Sequence, residues 1–219
     1  MGSIIHRIQA GDVVAGSGAI RPDHVELPKG AAVAWVRGPL TRRCLGPRNV
    51  PELYGDPGLL LRDVICCIDP GLEAKVPGSN RIGVVAHYVD QGLVSAAAAH
   101  EDVVLLDVRA APAEFLDALR RCRAVLSSSL HGIIFAEALG IPALWLIPHA
   151  DMSGGRFKFD DYCLGTNREG VHPLTLHEGL ERARAGLSHA LLDLSGPRLA
   201  QERLREELVG RMSGPRRKR

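Results

Sequence analysis

Aromatic residues make up only 4% of the 219 positions. Few rings are therefore on hand for unpaired bases to stack on, which argues against a single-strand nucleic-acid binder. Charge of one sign is also scarce, since 27 basic and 25 acidic residues leave a net +2. Arg211, Arg216, Arg217, Lys218 and Arg219 all fall within the last nine positions, so the rest of the chain carries −3. A nucleic-acid surface needs its basic patch on the fold itself, and a near-neutral body does not supply one. The tail reads as a solvated end. Its alternative is peripheral contact with the inner face of an anionic membrane, at roughly 1 kcal/mol per basic residue near such a surface. No apolar run approaches the roughly 20 residues of a membrane span. His6 and Arg7 interrupt the start too early for a secretory signal, so a cytoplasmic location is expected.

Metal and disulfide signatures are missing too. The five cysteines, at 44, 66, 67, 122 and 163, are odd in number, include an adjacent pair and form no Cys-x-x-Cys. They read as reduced and structural. The nine histidines contain no His-Glu-x-x-His and no cluster at zinc spacing. His149 and Asp151 read as surface loop, so no metal is expected. What remains is ordinary globular composition, 46% hydrophobic and 24% charged, which excludes wholesale disorder.

Between Arg81 and Ile147 short apolar runs alternate with helical patterns. Strands are expected at 82–86, 102–107, 124–126 and 143–147, and helices at 112–123 and 130–139. Pro112 opens the first helix, and Gly140 with Pro142 closes the second. Wholly apolar strands separated by helices mean a parallel sheet covered on both faces. The front is sparser. Strands are expected at 12–14 and 32–36 and a helix at 39–45, with a turn at 55–57. Residues 149–167 read as a loop, and 175–192 and 197–212 as helices. These elements divide into a partial first Rossmann-like domain (1–70), a linker (71–80), a second Rossmann-like domain (81–192), and a C-terminal helix with its basic tail (193–219).

Three segments carry chemistry. In Val125-Leu-Ser-Ser-Ser-Leu-His-Gly132 a strand turns into a helix through Ser127, Ser128 and Ser129. Orphan backbone N–H groups and the helix dipole make such a corner an anion site. The serines can donate to phosphate oxygens, Gly132 allows close backbone approach, and His131 faces the bound anion. The competing reading is a serine cap with a buried histidine. Arg37 ends a strand in Trp35-Val-Arg-Gly-Pro39 and is a candidate clamp for a carboxylate or phosphate. His87 and Asp90 follow the 82–86 strand at the same kind of edge.

Ser128-Ser-Leu-His-Gly132 followed by Gly140-Ile-Pro142, Val36-Arg-Gly-Pro-Leu-Thr-Arg42, Tyr54-Gly-Asp-Pro57 and His87-Tyr-Val-Asp90 together resemble the polysaccharide pyruvyl transferase family. Phe157-Lys-Phe-Asp-Asp-Tyr162 resembles its succinoglycan-type ketal-pyruvate branch. The resemblance implies an α/β fold, a glycosyltransferase-B-like pair of Rossmann-like domains with parallel sheets. It further implies phosphoenolpyruvate as donor substrate, no cofactor or metal, and a saccharide or lipid-linked oligosaccharide of exopolysaccharide assembly as acceptor. His131 becomes the catalytic residue. Leu130 and Gly132 shape the donor site, Arg37 carries donor charge from the front domain, and His87 and Lys158 line the cleft. Where many members have an arginine before Leu-His-Gly, this chain has Ser129, so the missing cation is expected from Lys158, Arg37 or Arg156. The likeness begins at Gly2, already inside the family's first domain, and the amino-terminal units of that domain are expected to be absent. An inactive relative that only binds an anion, and a nucleotide-sugar glycosyltransferase of similar fold, are the alternative functions.

Overall fold

The computed structural model describes residues 2–46, 50–68, 80–148, 154–169, 171–185 and 194–213. The expected linker at 71–80, apart from Asn80, and His149 and Asp151 fall outside these segments. Two parallel sheets organise the rest. The front sheet pairs β1 (Val13–Ala15) with β2 (Ala32–Trp35). Val36, one residue further on, bridges in parallel to Tyr54. Gly38 and Pro39 then turn the chain into α1 (Pro39–Cys44), with Pro39 in the first turn where its missing N–H costs nothing. A short 3-10 turn, Pro57–Leu60, leads directly into α2 (Leu61–Ile68).

The second sheet contains β3 (Arg81–Val85), β4 (Val103–Leu105), β5 (Cys122–Ser127) and β6 (Ala143–Trp145), in the order β4-β3-β5-β6 and parallel throughout. The connecting helices are α3 (Gln91–Ala97), α4 (Pro112–Arg120) and α5 (Leu130–Ala138). Alternation along β3 assigns the faces. Ile82 and Val84 join Leu126, Leu144, Leu93 and Leu180 in one buried layer. Val85 joins Val125, Leu119, Leu139 and Ile65 in the other. Both faces are covered, as wholly apolar strands require. The 112–123 helix is shorter than its pattern suggests. It ends at Arg120, and Cys122 pairs with Arg81 instead, lengthening β5 at its start.

Beyond β6 the expected loop is corrected. Phe157–Gly165 forms a helix, α6, with Phe159 and Tyr162 buried one turn apart. Its entry lacks a side-chain cap and is preceded by two glycines at positive φ, Gly154 and Gly155, which conceal the helix from a reading of start signals. Phe159 stacks on Trp145 with ring centroids 4.3 Å apart. Helix α7 (Leu176–Arg184) opens with a reciprocal Thr175–Glu178 capping box. Helix α8 (Ser195–Ser213) returns to the front: Leu204 packs with Ala34, Trp35 and Leu60, and Gln201 Nε2 donates to the Leu59 carbonyl at 2.8 Å. No helix among the described residues is long and apolar enough to cross a membrane.

Helix α5 is buried around most of its circumference, with the sheet on one side and the 3-10 turn and α8 on the other. That explains its nearly uniform apolar sequence. Glu137, its one acidic residue, is buried against Tyr162 Oη at 2.5 Å and the Arg168 guanidinium. This pairing ties α6 to α5.

Candidate active site

The strand order places β4 and β5 on opposite sides of β3, so the chain reverses direction across the sheet between β3 and β5. Helices diverge at such a point and leave a crevice at the carboxyl edge, where ligands of open α/β sheets bind. His87 follows β3 and the Ser127–His131 corner follows β5, so both predicted segments meet at this crevice. A cavity of about 460 Å³ opens there. His87, Ser129 and His131 form its polar side, and Leu61, Phe115 and Phe135 are among its apolar wall.

The serines divide into two roles. Ser127 is buried, with Oγ 2.8 Å from the carbonyls of Val85 and Ser129 and accepting the Ser129 N–H at 3.0 Å. Ser128 is buried as well, donating to Asp90 Oδ2 at 3.0 Å and accepting the His87 N–H at 3.0 Å. Asp90 Oδ1 also accepts the Leu93 N–H at the start of α3. These two hydroxyls stitch the ends of β3 and β5 together, and they do not project toward an anion. The reason is local: a tight strand-to-helix corner buries its own backbone polar groups, which take the nearest hydroxyls. Ser129 is the serine that lines the cavity, and its side chain makes no cap bond.

Gly132 also owes its size to the protein. A Cβ there would run into Ser127 Oγ and come within 2.8 Å of Val85 Cγ1. The glycine lets α5 sit close to β3 and β5. Leu130 is buried in the layer with Leu59 and Tyr162 and supports the corner from behind.

His131 stands in the first turn of α5, its ring 5.6 Å from that of Phe135 and its side chain 35% exposed. Nε2 lies 3.8 Å from Oδ2 of Asp56, which is wholly buried. Burial holds the imidazole below its ordinary 6.5; the Asp56 carboxylate opposes this, while the Arg37 and Lys158 charges add to it. His87 is lowered by burial and by Lys158, with Asp90 opposing. The two histidines are therefore predominantly neutral at pH 7 and able to accept a proton.

The three cations offered in place of the family arginine separate sharply. Arg37 has no exposed surface, and its guanidinium is fully engaged. Nε donates to Asp161 Oδ2 at 3.0 Å, Nη1 to Ser3 Oγ at 2.7 Å and Nη2 to the Ala19 carbonyl at 2.7 Å. The expectation of a ligand clamp at Arg37 is therefore corrected: it clasps the front sheet to α6. Arg156 is engaged by Asp160 at 2.8 and 2.9 Å and lies over the Trp145 ring. Lys158 alone among these three has no hydrogen-bonding or carboxylate partner among the described residues. Nζ lies 5.4 Å from the centre of the Phe159 ring, and burial together with the Arg37 charge lowers its pKa. Its charge is felt at both histidines.

Asp56 and Asp161 are the residues that sequence reasoning passed over. Tyr54-Gly-Asp-Pro57 marked a turn, and an aspartate before proline at a turn reads as a cap. Asp161 lay in the stretch read as a loop. Its burial beside Arg37 depends on α6, whose backbone comes so close to Gly38 that a Cβ there would strike the Asp161 carbonyl. The cysteines do not contribute. Cys122 is buried and its thiol pushed up to about 11, whereas Cys66 and Cys67 are exposed on α2. Among the described residues no three His, Cys, Asp or Glu side chains gather around a metal-sized point.

A stretch of 113 residues, 49% of this chain, is 34% identical to "Uncharacterized protein L143" of Acanthamoeba polyphaga mimivirus and spans 38% of that protein's length. Among solved structures, the glycosyltransferase SnogD from Streptomyces nogalater aligns over 84% of this chain and 52% of its own, at 20% identity and a TM-score of 0.35. A likeness that low carries no argument about activity. The sequence profile described as polysaccharide pyruvyl transferase matches residues 18–149, a span that includes Arg37, Asp56, His87 and the whole Ser127–Gly132 corner. The chain belongs to the polysaccharide pyruvyl transferase family.

Proposed function

We propose that this chain transfers a pyruvyl group from phosphoenolpyruvate to a saccharide of an exopolysaccharide precursor, such as a lipid-linked oligosaccharide, and forms a pyruvate ketal. The observation that supports this most is the meeting of His131 and His87 in one cavity at the carboxyl edge of β3 and β5, within reach of the Lys158 charge, in a chain of this family. Phosphoenolpyruvate carries a phosphate and a carboxylate on one enol carbon. The Lys158 ammonium and the first N–H groups of α5 are suited to these charges.

The chemistry moves two protons in net terms: the first hydroxyl's proton replaces the one delivered to the methylene carbon, and the second hydroxyl's proton leaves with phosphate. A proton delivered to the methylene carbon makes the adjacent carbon electrophilic, and a sugar hydroxyl adds to it and loses its own proton. Phosphate then leaves, and a second hydroxyl closes the cyclic ketal with loss of a second proton. Phosphoenolpyruvate and a diol thus become ketal and phosphate. A neutral imidazole at the mouth of the crevice can take the hydroxyl proton and return one to carbon, work worth about 10²–10⁴-fold in rate. His131 is assigned this role. His87 and Ser129 line the cleft beside it, and Lys158 supplies donor charge. Closeness to the succinoglycan-type branch, a cytoplasmic location, peripheral contact of the basic tail with the inner membrane face, a paired-domain glycosyltransferase-B-like architecture and independence of cofactors belong to the same proposal.

The test is phosphate release from phosphoenolpyruvate in the presence of saccharide acceptors, with mass spectrometry of the product. Transfer should be seen with the wild type and fall by about 10²–10⁴-fold in His131→Ala. Binding of phosphoenolpyruvate without turnover would favour an anion-binding relative. Stabilisation by a nucleotide sugar and not by phosphoenolpyruvate would favour a glycosyltransferase.

A further inference from the structure

The turn that enters the crevice from the front sheet brings in a charged group with no task in the transfer chemistry. Asp56 lies two residues beyond the Tyr54 bridge and caps the 3-10 turn, with Oδ1 accepting the Gly58 N–H at 2.8 Å. Its second oxygen, Oδ2, is buried and has no hydrogen-bond partner, and the same is true of His131 Nε2. A buried polar atom left unpaired costs about 1–3 kcal/mol. Here two such atoms, one an acceptor and the other able to carry a proton, face each other at 3.8 Å. A shift of about 1 Å brings them to hydrogen-bonding distance.

The approach is set by packing. A Cβ on Gly58 would lie 2.9 Å from Ile134 Cγ2, so the turn that presents Asp56 is pressed against α5 one turn beyond His131. Arg37 and Lys158, the basic side chains whose charge reaches the ring, both disfavour its protonation, and Asp56 is the carboxylate that opposes them. A ring bonded to a carboxylate through one nitrogen has its tautomer decided by that bond.

We propose that Asp56 is the positioning residue for His131: it accepts the Nε2 proton, holds the imidazole in one tautomer, and leaves Nδ1 as the nitrogen that exchanges protons with the substrate. The Asp56 carboxylate also favours the imidazolium when His131 is charged. The front sheet thereby contributes directly to the competence of a residue on the second sheet. The kinetic consequence rests on the pyruvyl-transfer reading, whereas the tautomer does not.

The experiment is nitrogen-15 NMR of the His131 ring in the unliganded protein, identified by its loss in His131→Gln. The wild-type neutral ring is expected to carry its proton on Nε2. In Asp56→Asn, where the side-chain oxygen retains the Gly58 cap, and in Asp56→Ala, the midpoint of the ring's titration should move to lower pH. The Nε2–H preference should be lost in Asp56→Ala and reversed in Asp56→Asn, whose NH₂ then faces Nε2 as a donor. A wild-type ring protonated on Nδ1 overturns the proposal, and that measurement needs no variant to fold. A tautomer and titration unchanged in a folded Asp56→Ala overturn it as well. With phosphoenolpyruvate and acceptor, Asp56→Asn should lower kcat by about 10–10²-fold, a fraction of the full acid–base contribution. KM for phosphoenolpyruvate should be nearly unchanged, and the acid limb of the pH profile should shift downward. Absence of transfer by the wild type would count against the functional reading, and the ring measurement would still decide the role of Asp56.

Discussion

Replacing Asp161 by asparagine should strand the Arg37 charge in the interior with little change in volume. The carboxylate accepts from Arg37 Nε at 3.0 Å, from the Thr41 N–H at 2.9 Å and from the Thr41 hydroxyl at 2.6 Å, and neither member of the ion pair has exposed side-chain surface. Asparagine can still accept the Thr41 N–H, but its NH₂ must then face a guanidinium. Removing one partner of a buried pair typically costs about 3–5 kcal/mol, because the remaining charge is uncompensated. For a chain of this size each kcal/mol moves Tm by about 2–4 °C, so the midpoint should fall by about 6–20 °C. Arg37→Met should cost a similar amount by leaving the carboxylate without its cation. The double variant should be far more stable than the sum of the two losses, with a coupling of about 2–3 kcal/mol. Thermal melts of the four proteins measure the midpoints, and urea denaturation measures the free energies and their coupling. If Arg37→Met unfolded within about 1 kcal/mol of the wild type and only lost affinity for phosphoenolpyruvate, the clasp would be refuted and the ligand-clamp reading of Arg37 restored.

Three further outcomes follow from the same geometry. Lys158→Met should raise KM for phosphoenolpyruvate about 10-fold or more, the loss of one charge-assisted contact, and should shift the titration of His87 and His131 to higher pH by removing a charge that opposes their protonation. Gly132→Ala should destabilise by about 1–3 kcal/mol in denaturant titration, since its Cβ meets Ser127 and Val85 on two packed strands. The histidines should also shape stability against pH. Both are lowered from 6.5 by burial, so below that pH the unfolded chain binds more protons than the folded one, and stability should decline as pH falls through and below 6.5. A Tm profile from pH 8 to pH 5 should flatten in His87→Asn/His131→Asn, and an unchanged slope would contradict the buried, neutral assignment.

The alternation of apolar runs with helical patterns from Arg81 to Ile147 was legible because strands buried on both faces have no alternative to continuous hydrophobicity. The Ser-Ser-Leu-His-Gly corner and the His87 segment could be placed at one sheet edge for a related reason: parallel connectivity puts every strand's carboxyl end on the same side. Family membership was legible in the order of short motifs. None of this required knowledge of which side chains touch.

The partners of each polar side chain were decided elsewhere. Arg37 and Asp161 are 124 positions apart, and His131 and Asp56 are 75 apart, so no local pattern could announce either pair. A serine beside a helix start can cap, donate to an anion or bind a neighbouring strand, and only the position of Val85 and Asp90 turned Ser127 and Ser128 inward. The sequence by itself determined the alternating strands and helices between Arg81 and Ile147, the parallel sheet and the crevice edge, because these follow from the periodicity of burial. The tertiary structure decided which cation is spent inside the protein and which has no such partner among the described residues, because a guanidinium or an ammonium is committed only by the groups that packing brings within hydrogen-bonding reach.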